Sequence, residues 1–177
     1  FDMTQNSLRW DVYRLGNLSH STMTINGAKH RVNGRGTIES VINNGSEFGG
    51  TMDLSPVFAD QAASVKRTIR LADEDLYIID EIQAMTWSDA KIDWRMLTQT
   101  DVSLESNAIR LSKNSHTMYL VAATDDSSVS PAYFTEAAEG KKAWDQPNTG
   151  FHVVGYTVTV PKGKTMTLTT KLSKTNR

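Results

Sequence analysis

Apolar residues in this chain fall mostly two apart. In the run from Asn17 to Gly27, Met23 and Ile25 alternate with Thr22 and Thr24 before an Asn26-Gly27 turn. That is the signature of a half-buried β-strand closed by a tight turn. The same period, with Val, Ile, Thr, Tyr and Trp enriched, marks residues 37–42, 65–71, 76–82, 92–97, 108–111, 117–122, 151–160 and 165–172 as strands. Turn signals separate them, at Asn33-Gly34, Asn43-Asn44-Gly45, Gly49-Gly50, Asp73-Glu74-Asp75, Asp125-Asp126-Ser127-Ser128 and Pro161-Lys162-Gly163. Tyr156, Val158 and Val160 alternate with threonines, and beyond the Pro-Lys-Gly-Lys turn Met166, Leu168 and Leu172 continue the rhythm, so the last two strands are expected to form a hairpin. Helical signals are confined to residues 56–64, better read as a loop with one turn, and 134–143. In the latter, Thr135 offers an N-cap and Gly140 a stop, although its Glu and Lys content also suits an exposed loop. The expected fold is all-β, an antiparallel β-sandwich of many short strands.

No internal repeat, low-complexity tract or linker interrupts the chain, so residues 1–177 are expected to form one domain. Its 19 basic and 20 acidic residues nearly cancel, leaving no electrostatic footprint for nucleic acid or an anionic membrane, and neither partner is expected. A polyanionic sugar can still meet a local basic patch. Cysteine is absent, which removes disulfides, thiolate catalysis and cysteine-based zinc sites together. No apolar stretch approaches the roughly 18 residues of a bilayer-crossing helix. The chain opens at Phe1, in a mixed polar and aromatic segment without initiator methionine, as though cut from something longer.

Chemistry-bearing residues are sparse. The four histidines, at positions 20, 30, 116 and 152, lack the spacing that puts two imidazoles on one strand or helix face. His20 stands at the mouth of a strand, where a rigid element can aim an imidazole. His30 is expected to be solvated, His116 to start a strand from a turn, and His152 to sit on a wet face. Among the carboxylates, Asp53, Asp80, Glu81, Asp93 and Asp101 are candidates for paired acid and base work. Asp80 and Glu81, adjacent in a strand, point to opposite faces and cannot pair with each other. No P-loop, GxGxxG or GxSxG occurs. Of the aromatic side chains able to stack on sugar rings, Trp10, Tyr13, Trp87, Trp94 and Trp144, the rhythm of Ile92, Trp94 and Met96 assigns Trp94 to the core. Trp144 lies in a loop where burial is not demanded.

Taken in order, Tyr13, Arg14, Asn17, His20, Ser21, Thr22, Ile25, Asn26 and Gly27, then Gly50, Asp53, Leu54, Ser55 and Pro56, then Val65, Arg67 and Arg70, then Tyr77 to Ile82 resemble the heparinase II/III-like polysaccharide lyases. The likeness runs over about the first 97 residues and weakens beyond. It implies the C-terminal β-sandwich of a larger chain whose N-terminal α/α toroid forms, with the sandwich, a cleft for an acidic polysaccharide. The implied reaction is β-elimination at a uronate, with the catalytic Tyr and His upstream, so that this fragment alone would be inactive and supply no catalytic residue. His20 matches a ligand of a structural zinc whose other ligands come from the missing segment, and Ser21 stands where the family often has Asn. Cationic contacts to substrate are expected from Arg14, Arg31 or Arg35, since guanidinium groups engage oxyanions in pairs, and stacking from Trp144. A periplasmic or secreted location follows from the same resemblance. The competing readings are a non-catalytic carbohydrate-binding or structural sandwich, and a self-contained hydrolase.

Overall fold

The computed structural model describes Thr4 and residues 7–176; the opening residues read as an excision point, and the Trp10 indole considered for stacking, lie outside the described residues. The strands are β1 (Met23–Ile25), β2 (Thr37–Asn43), β3 (Glu47–Asp53), β4 (Ser64–Ala72), β5 (Asp75–Gln83), β6 (Ala90–Thr98), β7 (Asp101–Leu104), β8 (Ile109–Lys113), β9 (His116–Thr124), β10 (Ala132–Ala137), β11 (His152–Val160) and β12 (Thr165–Ser173). Among the described residues there is no α-helix, only three short 3₁₀ turns before β1.

A four-stranded sheet, β1-β6-β11-β10, faces an eight-stranded one, β2-β3-β4-β5-β12-β9-β8-β7, and every pairing is antiparallel. The alternation in the sequence is the cause: Ile92, Trp94, Val154, Tyr156 and Val158 of the small sheet meet Val65, Ile82, Met166, Leu168, Leu120 and Ile109 of the large one. Where the mid-sandwich is polar, its groups are paired. Asp80, with no exposed surface, accepts from Arg67 Nε at 2.6 Å, Arg67 Nη2 at 2.9 Å and Trp94 Nε1 at 3.2 Å. The Tyr156 hydroxyl meets Thr170 Oγ1 at 2.8 Å, and its ring stacks on Trp94 at 5.7 Å. Burial drives the Tyr156 phenol pKa strongly upward, so the hydroxyl stays neutral.

Three expectations are corrected. β11 and β12 are not a hairpin: β11 pairs with β6 and β10, β12 with β5 and β9, and residues 161–164 carry the chain from one sheet to the other. A crossover and a hairpin share the same alternation, because both strands bury one face. The 134–143 segment is not helical, since β10 pairs with β11 through Ala137, with Tyr133 turned into the core beside Tyr156. Gly49-Gly50 is no turn but the middle of β3. A Cβ on Gly49 would collide with the Ile69 carbonyl oxygen, and one on Gly50 would lie 2.7 Å from that of Ser40, so the two glycines let three strands close up.

Candidate functional site

The 3₁₀ turns Leu8–Asp11, Tyr13–Leu15 and Asn17–Ser19 precede β1, and the last of them lies on the outer face of the four-stranded sheet, where Leu18 O meets Arg95 of β6. Ser7 caps the first by accepting the Arg9 N–H. Asn17 Nδ2 donates to Ala28 O at 2.9 Å, and the Tyr13 N–H donates to Asp145 Oδ1 at 3.0 Å, fastening the second and third turns.

His20 terminates the third turn, its N–H bonded to Asn17 O. Its Nδ1 lies 2.8 Å from Gly16 O and 3.2 Å from Ser19 Oγ, which itself donates to Gly16 O at 3.0 Å. A carbonyl oxygen only accepts, so Nδ1 carries the proton and the lone pair is left on Nε2. That is the tautomer in which backbone bonding orients an imidazole as a metal ligand. The ring lines a cavity of about 420 Å³ together with Leu15, Asn17, Lys29, His30 and Arg31. His30 is not solvated as expected. The Asn26-Gly27 turn, with φ of 53° and 67°, brings its ring back under β1, where Nε2 donates to Met23 O at 2.9 Å and the ring edge meets Phe58. Burial lowers its pKa, against the bond to Met23 O, which raises it, and the nearby Arg67 charge adds a smaller lowering. Among the described residues no three His, Asp or Glu side chains gather to hold a metal. His20 by itself is one donor where zinc takes three or four, so these residues alone do not fit a zinc ion.

A larger cleft of about 940 Å³ adjoins, sharing Gly16, Asn17 and Lys29 with the first. Its floor is Arg95, almost buried on the outward side of β6, with Nε donating to Leu18 O at 3.1 Å, an ion pair to Glu136 of β10, and its guanidinium 5.5 Å from the centre of the Phe134 ring. Tyr13, Lys141, Lys142 and Asp145 complete the walls. Burial raises the Tyr13 pKa more than nearby Arg95 lowers it, so the phenol is protonated at neutral pH, and its hydroxyl donates to Leu18 O at 3.4 Å.

The sequence candidates divide. Arg31 lines the smaller cavity and pairs with Asp60, whereas Arg14 and Arg35 are exposed and line neither space. Trp144 is 46% exposed on the loop whose Lys141, Lys142 and Asp145 face the larger cleft, although its own ring is not among the lining residues. His116 and His152 start strands β9 and β11. Of the acids, Asp80 is consumed by its buried ion pair, Asp53 accepts the Ser55 N–H at 2.9 Å, and Asp93 accepts from Thr157 Oγ1 at 2.8 Å. Arg95, Glu136 and Lys29 were missed. An arginine between Trp94 and Met96 in an apolar strand was the available signal, since such a charge must find partners on the face opposite the core.

The family model described as "Heparinase II/III-like, C-terminal" matches residues 3–173. The chain belongs to that family, a family of polysaccharide lyases. Among curated proteins, none matches it by sequence. A crystal structure of heparinase III superposes with a TM-score of 0.65 at 12% identity, covering 91% of this chain and 24% of that one. A second heparinase III gives 0.65 at 11%, covering 88% and 24%. A heparan sulfate lyase mutant from Pedobacter heparinus gives 0.63 at 10%, covering 87% and 24%. The heparinase-like sandwich is thus shared in fold, and this chain spans about a quarter of the length of those proteins.

Proposed function

We propose that this heparinase-like domain is the C-terminal wall of a lyase that cleaves uronate-containing polysaccharides by β-elimination, and that by itself it is inactive. The observation that carries the reading is the pair of adjoining spaces on the outer face of the small sheet, the smaller lined by His20 and the larger by Arg95, Tyr13 and three lysines set among four acids, Asp11, Glu136, Glu139 and Asp145. β-Elimination takes the proton α to the uronate carboxylate and expels the 4-linked oxygen, so charge grows on the carboxylate as the C–H bond breaks. A lysine of the lining such as Lys141 or Lys142, placed beside that carboxylate, lowers the cost of that charge. The neutral Tyr13 hydroxyl, its O–H directed at Leu18 O, can accept a hydrogen bond from a sugar hydroxyl without competing for the α proton. The proton-abstracting base, and the remaining donors of a zinc site to which His20 would contribute Nε2, are assigned to another part of a longer polypeptide, an α/α toroid. No step is placed on the metal. Polymers of this kind lie outside the cell, and the reading places the enzyme in the periplasm or beyond it.

The test compares the 177-residue chain with the full gene product on heparan sulfate, heparin and unsulfated uronate polymers, following the ultraviolet absorbance of unsaturated uronates. The full product is expected to generate them and the 177-residue chain to generate none. In the full product His20→Ala should lower the zinc content measured by elemental analysis. Cleavage by the 177-residue chain unaided would overturn the assignment of catalysis to residues outside it.

A further inference from the structure

The sandwich ends in two connectors that cross between the sheets side by side. Residues 84–89 lead from β5 to β6, and residues 161–164 from β11 to β12. Hydrogen bonds stitch them together: Ala84 N–H donates to Lys164 O at 2.9 Å and Gly163 N–H to Met85 O at 2.8 Å along the backbone, and Lys162 N–H to the Asp89 side chain at 2.8 Å. The Asn26 side chain ties the same place to the β1 turn, donating to Asp89 O at 3.2 Å and accepting the Lys91 N–H at 2.9 Å. Its neighbour Gly27 lines the larger cleft, so the connector pair adjoins one end of that groove.

On this fastened platform Trp87 is 74% exposed. The indole stands out from an ordered turn and presents a flat apolar face of the kind on which the C–H faces of sugar rings stack. Lys162 and Lys164 flank Gly163 on the second connector, Lys91 follows on β6, and all three are exposed. The one acid in the two connectors, Asp89, is engaged by the Lys162 N–H. Lys91 stands 3.9 Å from Asp93, whose carboxylate also accepts from Thr157. The two connectors themselves thus carry two lysines against one aspartate, a net charge of +1.

We infer that Trp87, with Lys162 and Lys164, is an outlying sugar-binding position that holds an anionic polysaccharide beyond the end of the cleft. The ligand class rests on the function proposed above; the site itself does not require that this protein cleave anything.

Binding of a heparin-derived octasaccharide and of an oligogalacturonate to the 177-residue chain, followed by calorimetry and by the indole N–H resonances, tests this. The Trp87 resonance is expected to shift with at least one of the two anionic sugars and not with maltooctaose. Trp87→Ala should weaken binding about tenfold, equivalent to about 1.4 kcal/mol, while Trp87→Tyr retains most of it. The double variant Lys162→Ala/Lys164→Ala should weaken it and flatten its salt dependence. An unchanged affinity in Trp87→Ala, equal binding of maltooctaose, or attachment to anionic vesicles without sugar binding would each overturn the inference. If the full product proves not to be a lyase while Trp87 still binds anionic sugar, only the proposed function falls; active lyase with an indifferent Trp87 removes only this site.

Discussion

At the scale of single residues, burial decides which ionisable groups are available for chemistry. His30 and His20 line one cavity, yet the first is committed to Met23 O and the Phe58 edge while the second keeps a ring nitrogen for an outside partner. Desolvation holds the His30 pKa below its ordinary 6.5. Above pH 6.5 both the folded and the unfolded imidazole are neutral, and the contribution to stability is flat. As pH falls below 6.5 the unfolded chain takes a proton that the folded one resists, so stability is lost downward from there toward the folded pKa. Asp53, Asp75 and Asp126, whose pKa values are depressed mainly by hydrogen bonds from Ser55, Lys171 and Ser128, add their losses only at pH below about 4. Urea midpoints taken at pH 7.5, 6.5 and 5.5 should fall in the wild type and fall less in His30→Gln; equal slopes would show that another group carries the effect. The site was legible in part for the same reason. His20 stood out because a loop-to-strand junction is visible in sequence, but burial of His30 depends on a turn and on Phe58, 28 positions on, which no local pattern reports.

Within the elements, alternation made most strands legible, because each buries one face and a period of two records that. It located β4, β5, β6 and β12 to within a residue or two. It failed where another constraint outweighs side-chain pattern. β3 was hidden by glycines that serve close strand approach, β7 has only four residues with none buried, and the partner sheet of β12 is a long-range choice. Gly155 shows how narrow such constraints are. It lies opposite Arg95 in the β6–β11 pairing, and a Cβ there would run into the Trp94 carbonyl oxygen and stand 3.2 Å from the Phe134 ring, the ring on which Arg95 rests. Gly155→Ala is therefore expected to force β6 and β11 apart, at about 1–3 kcal/mol by the usual cost of overpacking. In urea denaturation this appears as a lower midpoint, and tryptophan fluorescence should report the shift around Trp94. A midpoint within error of wild type would mean that the two strands have slack this geometry does not show.

Across the whole molecule the two faces of the large sheet at its β2–β4 end obey opposite rules. The outward face is polar and paired: Arg70 reaches Glu47 at 2.9 Å and lies 5.0 Å from the Tyr77 ring centre, Lys66 reaches Glu39 at 3.0 Å, and the Thr51 and Thr68 hydroxyls meet at 2.9 Å. The inward face carries Ile38, Val41, Phe48 and Leu71, placed by register in line with the buried Val65 and Arg67, yet all four are exposed. The cause is arithmetic: four strands cannot roof eight, and the apolar lining of the core runs out past β1 into solvent. Side chains in that overhang resemble core residues in composition but contribute little to folding of this chain, because they leave water only partly. Val41, 75% exposed, and Ile82, fully buried on the same inner surface, separate the two cases. Val41→Ser should change the unfolding free energy by no more than about 0.5 kcal/mol, whereas Ile82→Ala should cost about 2–5 kcal/mol. Chemical denaturation of the two variants measures both. A loss above about 1 kcal/mol in Val41→Ser would mean that the overhang is covered in solution, and the concentration dependence of that loss would tell cover by a second copy from cover within one chain, since only association is driven by mass action.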